Sequence, residues 1–335
     1  VKNTVQIMSV LTGCMAGAKA TGLINPDVRA DAYTDLNTVM NVILGGTCVI
    51  ARALSKAALM TSCYGSQRVP KVVFGEDTPE LEAFYEAVNT IAPGAWELLQ
   101  DLLASWQPGA LAHCWQLPDG FEAKVKVMTK QEGRIEVDEL DGASFTYLWY
   151  ENQGTDKGRS NVANVVHSID GFILREMIRR CNYDSASAYW LMDELEAMLL
   201  ERHMGAVPGP LSNAAAYYSA LFERTRMPSA VILSHLTSED LQGLSTEHLL
   251  CLKRIVNQLL EHKPFPIITI HDSFGAHANN VNRVRYWYKE ILAELADAEV
   301  LSDIMNQLHN SPNGSYPKLS QDLSQYIRNS NYALS

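Results

Sequence analysis

Apolar positions recur at helical spacing through most of the chain, and only two short stretches read as strands. Residues 1–20 mix small and apolar side chains at helical intervals and end near Gly22. Asn25-Pro26-Asp27 is a helix-start signal, and a long helical pattern follows from about Ala30 to Leu44, where Gly45-Gly46 breaks it. From Thr47 to Cys63 the pattern is helical again, with Gly65 where a helix C-cap favours glycine. Residues 78–106 predict two helices parted at Pro93-Gly94. Pro118-Asp119-Gly120 marks a turn. After it Phe121, Ala123, Val125 and Val127 alternate with Glu122, Lys124 and Lys126, as in a half-solvated strand. The pattern assigns no element to residues 128–149, and 150–162 read as a polar loop.

Residues 165–180 and much of 184–262 read as helix, punctuated at Pro208-Gly209-Pro210 and Pro228. The β-branched run at 265–270 predicts a buried strand, and 280–298 a long amphipathic helix. The tail is loop-rich around Ser311-Pro312-Asn313-Gly314. The fold class predicted is mixed α/β, α-rich and of the α+β kind, with a small sheet.

Composition narrows the field. At 335 residues the chain exceeds one comfortable core, which predicts two or more packed units. Apolar residues at 47 % and charged residues at 19 % place it among globular proteins rather than disordered ones. A net charge of −11 argues against a protein that coats nucleic acid nonspecifically, but leaves room for a local basic cleft or a basic partner. Six scattered cysteines with no CxxC pair argue against a disulfide framework or structural zinc and fit a reducing cytoplasm. No HExxH occurs among nine histidines, and no apolar run reaches membrane-spanning length, so no membrane is expected.

Three stretches could carry chemistry. Arg52, Lys56, Met60 and Tyr64 stand four apart, so they climb one face of a helix. Two unpaired cations one turn apart suit a polyanion such as a triphosphate; the same spacing also suits the solvated face of a core helix. In Ile267-Ile268-Thr269-Ile270-His271-Asp272-Ser273-Phe274-Gly275 a strand ends in a turn that presents Asp272. A carboxylate there can hold Mg²⁺, and Asp and Ser equally favour a plain turn. In Asn164-Val165-Val166-His167-Ser168-Ile169-Asp170-Gly171, His167 is a structural or a site histidine, and Ser168 and Asp170 are candidate N-caps.

In order along the chain, Arg-x₃-Lys-x₇-Tyr-Gly, Val-His-Ser-Ile-Asp-Gly and Ile-His-Asp-Ser-Phe-Gly resemble the single-subunit DNA-directed RNA polymerase family of phages and mitochondria. Leu117-Pro118-Asp119-Gly120-Phe121 is similar to that family's Pro-x-Gly-Phe segment, and Ser330-Asn331-Tyr332-Ala333-Leu334 to its aromatic C-terminus. The resemblance implies the fingers and palm of the right-hand polymerase fold, without thumb or N-terminal region. It assigns residues 1–22 to the palm, 23–166 to the fingers, 167–181 to the palm, and 264–300 to the palm with the His271-Asp272 turn. Residues 182–263 form a helical insertion, with Leu191, Leu195, Met198 and Leu199 at helical spacing, and 301–335 a C-terminal extension. It further implies that Asp272 ligates catalytic Mg²⁺, two ions being expected. Arg52 and Lys56 contact the triphosphate, Tyr64 senses the ribose 2′-hydroxyl with Gly65 permitting its geometry, His167 lies on the ribose side, and His271 and Ser273 shape the turn.

The family's second aspartate lies shortly before a Gly-x-Gln stretch. Asn3-Thr4-Val5-Gln6 looks like that stretch, and the expected aspartate falls before Val1. A second polymerase subunit, as in the heterodimeric RNA polymerases of phages of the N-four kind, or a longer chain would supply it. The expected partners are that subunit, a DNA template, ribonucleoside triphosphates, nascent RNA and an accessory promoter-loading factor. The alternatives are a palm-type DNA polymerase, disfavoured by Ser273 and the Val166-His167-Ser168 element, and a non-catalytic polymerase-derived scaffold.

Overall fold

The computed structural model describes residues 2–46, 48–270, 272–312 and 314–334. The small-and-apolar opening forms α1 (Lys2–Thr12) and α2 (Met15–Ala20), parted where Gly13 takes a φ of +69°. Helix α3 (Ala32–Ile43) starts later than the Asn25-Pro26-Asp27 signal predicts. Its cap is Asp31, whose carboxylate accepts the Tyr33 amide at 3.1 Å. The next helix, α4 (Arg52–Ser62), is shorter than its pattern, and Thr47 lies outside the described residues. A short α5 (Arg68–Phe74) then precedes the expected pair, α6 (Pro79–Ile91) and α7 (Pro93–Ala104), each opened by a proline at its first turn.

Two hairpins follow. Strands β1 (Ala112–Gln116) and β2 (Glu122–Lys126) pair antiparallel across the Pro118-Asp119-Gly120 turn, as the alternation predicts. That turn is clamped: the buried Asp119 accepts Arg175 Nε at 2.6 Å and Arg179 Nη1 at 2.9 Å. Strands β3 (Met128–Val137) and β4 (Ala143–Asn152) fill the stretch to which the pattern gave no element.

Helix α8 (Ser160–Cys181) begins inside the expected loop, so Ser168 and Asp170 sit in mid-helix and cap nothing. Helices α9 (Ser185–His203), α10 (Asn213–Thr225), α11 (Ser238–Gly243) and α12 (Thr246–Leu260) enclose a core of their own around Leu191, Leu195, Leu249 and Leu252. The chain closes with β5 (Ile268–Ile270), β6 (Ser273–Gly275), α13 (Val281–Asp297), α14 (Val300–His309) and α15 (Leu323–Asn329).

Helix α13 is the axis of the larger core. Most of it from Trp287 to Ala296 is buried, and it packs on α1, α8 and α15. Where that core meets the α9–α12 cluster, Arg180 is fully buried. It bonds Glu176 at 3.1 Å and Glu294 at 2.7 Å, while Glu176 also accepts the Ser229 hydroxyl at 2.6 Å.

The described strands form three separate two-stranded antiparallel sheets, so the class is α-rich α+β. The expected buried strand at 265–270 is corrected on that account. Its strand portion is three residues long, and Ile268 and Ile270 are 69 % and 66 % exposed: β6 is its one partner among the described strands, and the pair turns its Thr269 and Phe274 face to the core and the isoleucines outward. No described helix is long and apolar enough to cross a membrane.

Candidate functional site

Helix α4 is fastened through its inner face. Ser55, Ala58, Leu59 and Ser62 are buried, the Ser55 hydroxyl donates to Asn37 Oδ1 at 2.7 Å, and Asn41 Oδ1 accepts the Ile50 amide at 2.8 Å. Arg52 and Lys56 are thereby turned outward over the start of α3. The Arg52 guanidinium lies 5.6 Å and the Lys56 ammonium 5.4 Å from the centre of the Tyr33 ring. With Arg29, Asp31 and neighbouring backbone they line an open cleft of about 410 Å³.

The expected pair of unpaired cations is half right. Arg52 bonds Asp31 at 2.5 Å and donates to Thr34 Oγ1 at 2.9 Å. Burial pushes the Asp31 carboxyl upward, but hydrogen bonds from Thr34 and Arg52 and the Arg52 charge outweigh it and hold its pKa below the usual value. Both partners are largely exposed, so the bond is of the weak surface kind, roughly 0–1 kcal/mol. Three cations against one carboxylate leave the cleft positive.

At its far end α4 stops in a Schellman turn. The Ser66 amide donates to the Thr61 carbonyl at 3.2 Å and the Gly65 amide to the Ser62 carbonyl at 2.9 Å, with Gly65 at a φ of +83°. Glycine belongs here: any side chain would be strained, and its Cβ would meet Leu103 at 3.2 Å. Arg159 Nη1 donates to the Gly65 carbonyl at 3.1 Å and fixes the turn. The turn aims Tyr64 at α1 and α8. There the Thr4 hydroxyl donates to the Tyr64 oxygen at 2.7 Å, and the exposed His167 ring stands 5.4 Å from the Tyr64 ring.

Neighbouring residues of α1 reach a third group. Asn3 Nδ2 donates to Asp170 at 2.9 Å, and the buried Tyr288 hydroxyl meets Gln6 Oε1 at 3.0 Å and Asn3 Oδ1 at 3.3 Å. Gln6 Nε2 in turn donates to the Ala333 carbonyl at 3.0 Å, which ties the C-terminal segment to α1. Burial, and after it the negative charges of Asp170 and Asp272, push the Tyr288 phenol far above its ordinary pKa. Asp272 is exposed at the β5–β6 turn. Phe274 of the same turn lies 5.8 Å from the Tyr288 ring, ring centre to ring centre, and Ser273 pairs with Ile270. His271 lies outside the described residues.

The chain matches no family model and no curated protein. The predicted residues fall into three linked groups: Arg52 and Lys56 on the cleft, Tyr64 with His167, and Asp272 beside Tyr288. Helix α4 joins the first two groups and α1 joins the last two. Sequence reasoning missed Arg29, Tyr33 and Tyr288, which carry no motif spacing, and offered Asp170 as a candidate cap inside the Val-His-Ser-Ile-Asp-Gly motif without a site role. Asp170 and Asp272 both contribute negative charge at the Tyr288 phenol, and both carry hard oxygen donors. That donor class suits Mg²⁺, which takes one or two carboxylates and fills its sphere with water and phosphate.

Proposed function

We propose that this chain carries the nucleotide site of a DNA-directed RNA polymerase of the single-subunit family, acting with a second polymerase subunit on a DNA template. The observation that carries the reading is the bond from Thr4 to Tyr64 beside His167, which joins three motifs far apart in sequence.

The chemistry follows from the groups present. A triphosphate entering the cleft displaces the weakly held Asp31 and takes the Arg52 fork and the Lys56 point charge, which offset charge on the phosphates as the bond to the α-phosphate breaks. A phenol both donates and accepts, so while bonded to Thr4 the Tyr64 hydroxyl keeps a second position with which to meet a ribose 2′-hydroxyl. A deoxyribose leaves that position unanswered, and the unmade bond is the discrimination. His167 flanks the sugar. Asp272 would hold Mg²⁺, which supplies charge neutralisation at the phosphates and an activated 3′-oxygen. Tyr288 and Asn3 keep the carboxylate side of the site in register with α1.

Tyr64→Phe tests this reading. It should lower the preference for ribonucleotides over deoxyribonucleotides about 10- to 100-fold in the assembled enzyme, with little change in ribonucleotide addition. Unchanged selectivity would remove Tyr64 from the ribose contact.

A further inference from the structure

The β3–β4 hairpin leaves the body with neither face buried. From Ser144 to Asn152 every residue of β4 is exposed, and each strand pairs with the other alone. The register places Ile135 opposite Phe145, Gly133 opposite Tyr147 and Gln131 opposite Trp149. Strand side chains alternate between faces, so Ile135, Phe145, Tyr147 and Trp149 share one side. The opposite side carries Lys130, Glu132, Arg134 and Glu136. The first face is therefore mainly aromatic, while the other carries the paired charges with Leu148 and Tyr150 among them.

The aromatic face is ordered yet open. Tyr147 stacks on Trp149 with ring centres 5.2 Å apart, and it lies so close over Gly133 that a Cβ there would sit 2.5 Å from its ring. Ile135, Phe145 and Tyr147 remain 51 %, 54 % and 48 % exposed. A lone two-stranded hairpin is marginal in water, and a contiguous aromatic patch of this kind marks an interaction surface.

Charge selects the occupant. Between residues 128 and 152 six acidic side chains oppose two basic ones, Lys130 and Arg134. Four of the acids, Glu136, Asp138, Glu139 and Asp141, gather at the tip. Lys130 is already 3.5 Å from Glu132, and Arg134 donates to Ser144 at 2.6 Å. Phosphate backbones are held by Lys and Arg, which this hairpin lacks in surplus, so nucleic acid is repelled. A second copy would bring a second acidic tip against the first. We propose that the aromatic face of β3–β4 docks a protein partner that offers an apolar groove bordered by lysine and arginine. The proposal is independent of the polymerase reading.

The test uses the full chain and three labelled probes: an amphipathic Leu/Lys peptide, the same peptide with Glu for Lys, and a short duplex DNA. The Leu/Lys peptide should bind and blue-shift the emission that Trp149→Phe removes. Binding should weaken at least about tenfold in F145S/Y147S/W149S, and also in the tip variant D138K/E139K/D141K, whose aromatic face is intact. Circular dichroism checks that each variant folds, and the tip variant carries the test if the face variant does not. Equal binding of the Leu/Lys peptide by wild type and tip variant would overturn the proposal. So would duplex DNA binding that the face variant abolishes.

Discussion

Asp31 holds two positions at once at the mouth of the cationic cleft. It caps α3 through the Tyr33 amide, and it occupies the Arg52 guanidinium that a triphosphate would need. Asn in its place keeps the cap and gives up the charge. Asp31→Asn should therefore strengthen binding of inorganic tripolyphosphate about two- to fivefold by calorimetry, at unchanged melting temperature. Unaltered affinity would mean that polyanions do not enter here. The Arg52–Lys56–Tyr64 spacing was legible because helix geometry alone puts such residues on one face. Asp31 as the partner of Arg52 was not, since a contact between α3 and α4 leaves no local signal. The same holds for Tyr288, an aromatic in an amphipathic helix until α1 supplies Asn3 and Gln6 around its hydroxyl.

Elements with a strong period were the readable ones. Helices α6, α7 and α13 and the β1–β2 hairpin stand close to where hydrophobic spacing puts them. The β3–β4 hairpin escaped because its strands bury neither face, so the apolar/polar alternation that marks a strand is blurred by Leu148 and Tyr150 on the charged side. Strand β5 misled in the opposite way, since a β-branched run predicts full burial only when both faces are covered, and here only the Thr269 and Phe274 face is.

Helix α12 carries a pH dependence. His248 is buried and stacked on Phe222 with ring centres 4.0 Å apart, and burial lowers its pKa from the usual 6.5 to about 4 against a small opposing pull from Glu223. The unfolded chain thus takes up the proton first, so stability falls as pH drops from about 6.5 toward 4, by about 3 kcal/mol in all. His248→Phe should flatten that limb in urea midpoints measured against pH. An identical acid limb in the variant would place the proton uptake elsewhere.

At the scale of the whole molecule, two cores meet at a polar junction. Arg180 bonds Glu176 from its own helix and Glu294 from α13, and Glu176 reaches the Ser229 hydroxyl and the Ala230 amide beyond. Replacing one member of such a buried set leaves the others charged and unpaired, which fixes how the α9–α12 cluster attaches to the body. The larger core does the corresponding work for the site. By burying α13 against α1 and α8, it brings Tyr288, Asn3 and Asp170 together and sets the β5–β6 turn beside them.

Asp272 is the residue on which that convergence turns. RNA extension on a primed DNA template is measured with Mg²⁺ in the assembled enzyme, for wild type and Asp272→Asn. Wild type should extend the primer in a template-directed way and the variant should lose at least about a thousandfold, with the same melting temperature for both. Full turnover by Asp272→Asn, or no template-directed extension by wild type, would contradict this reading of the site.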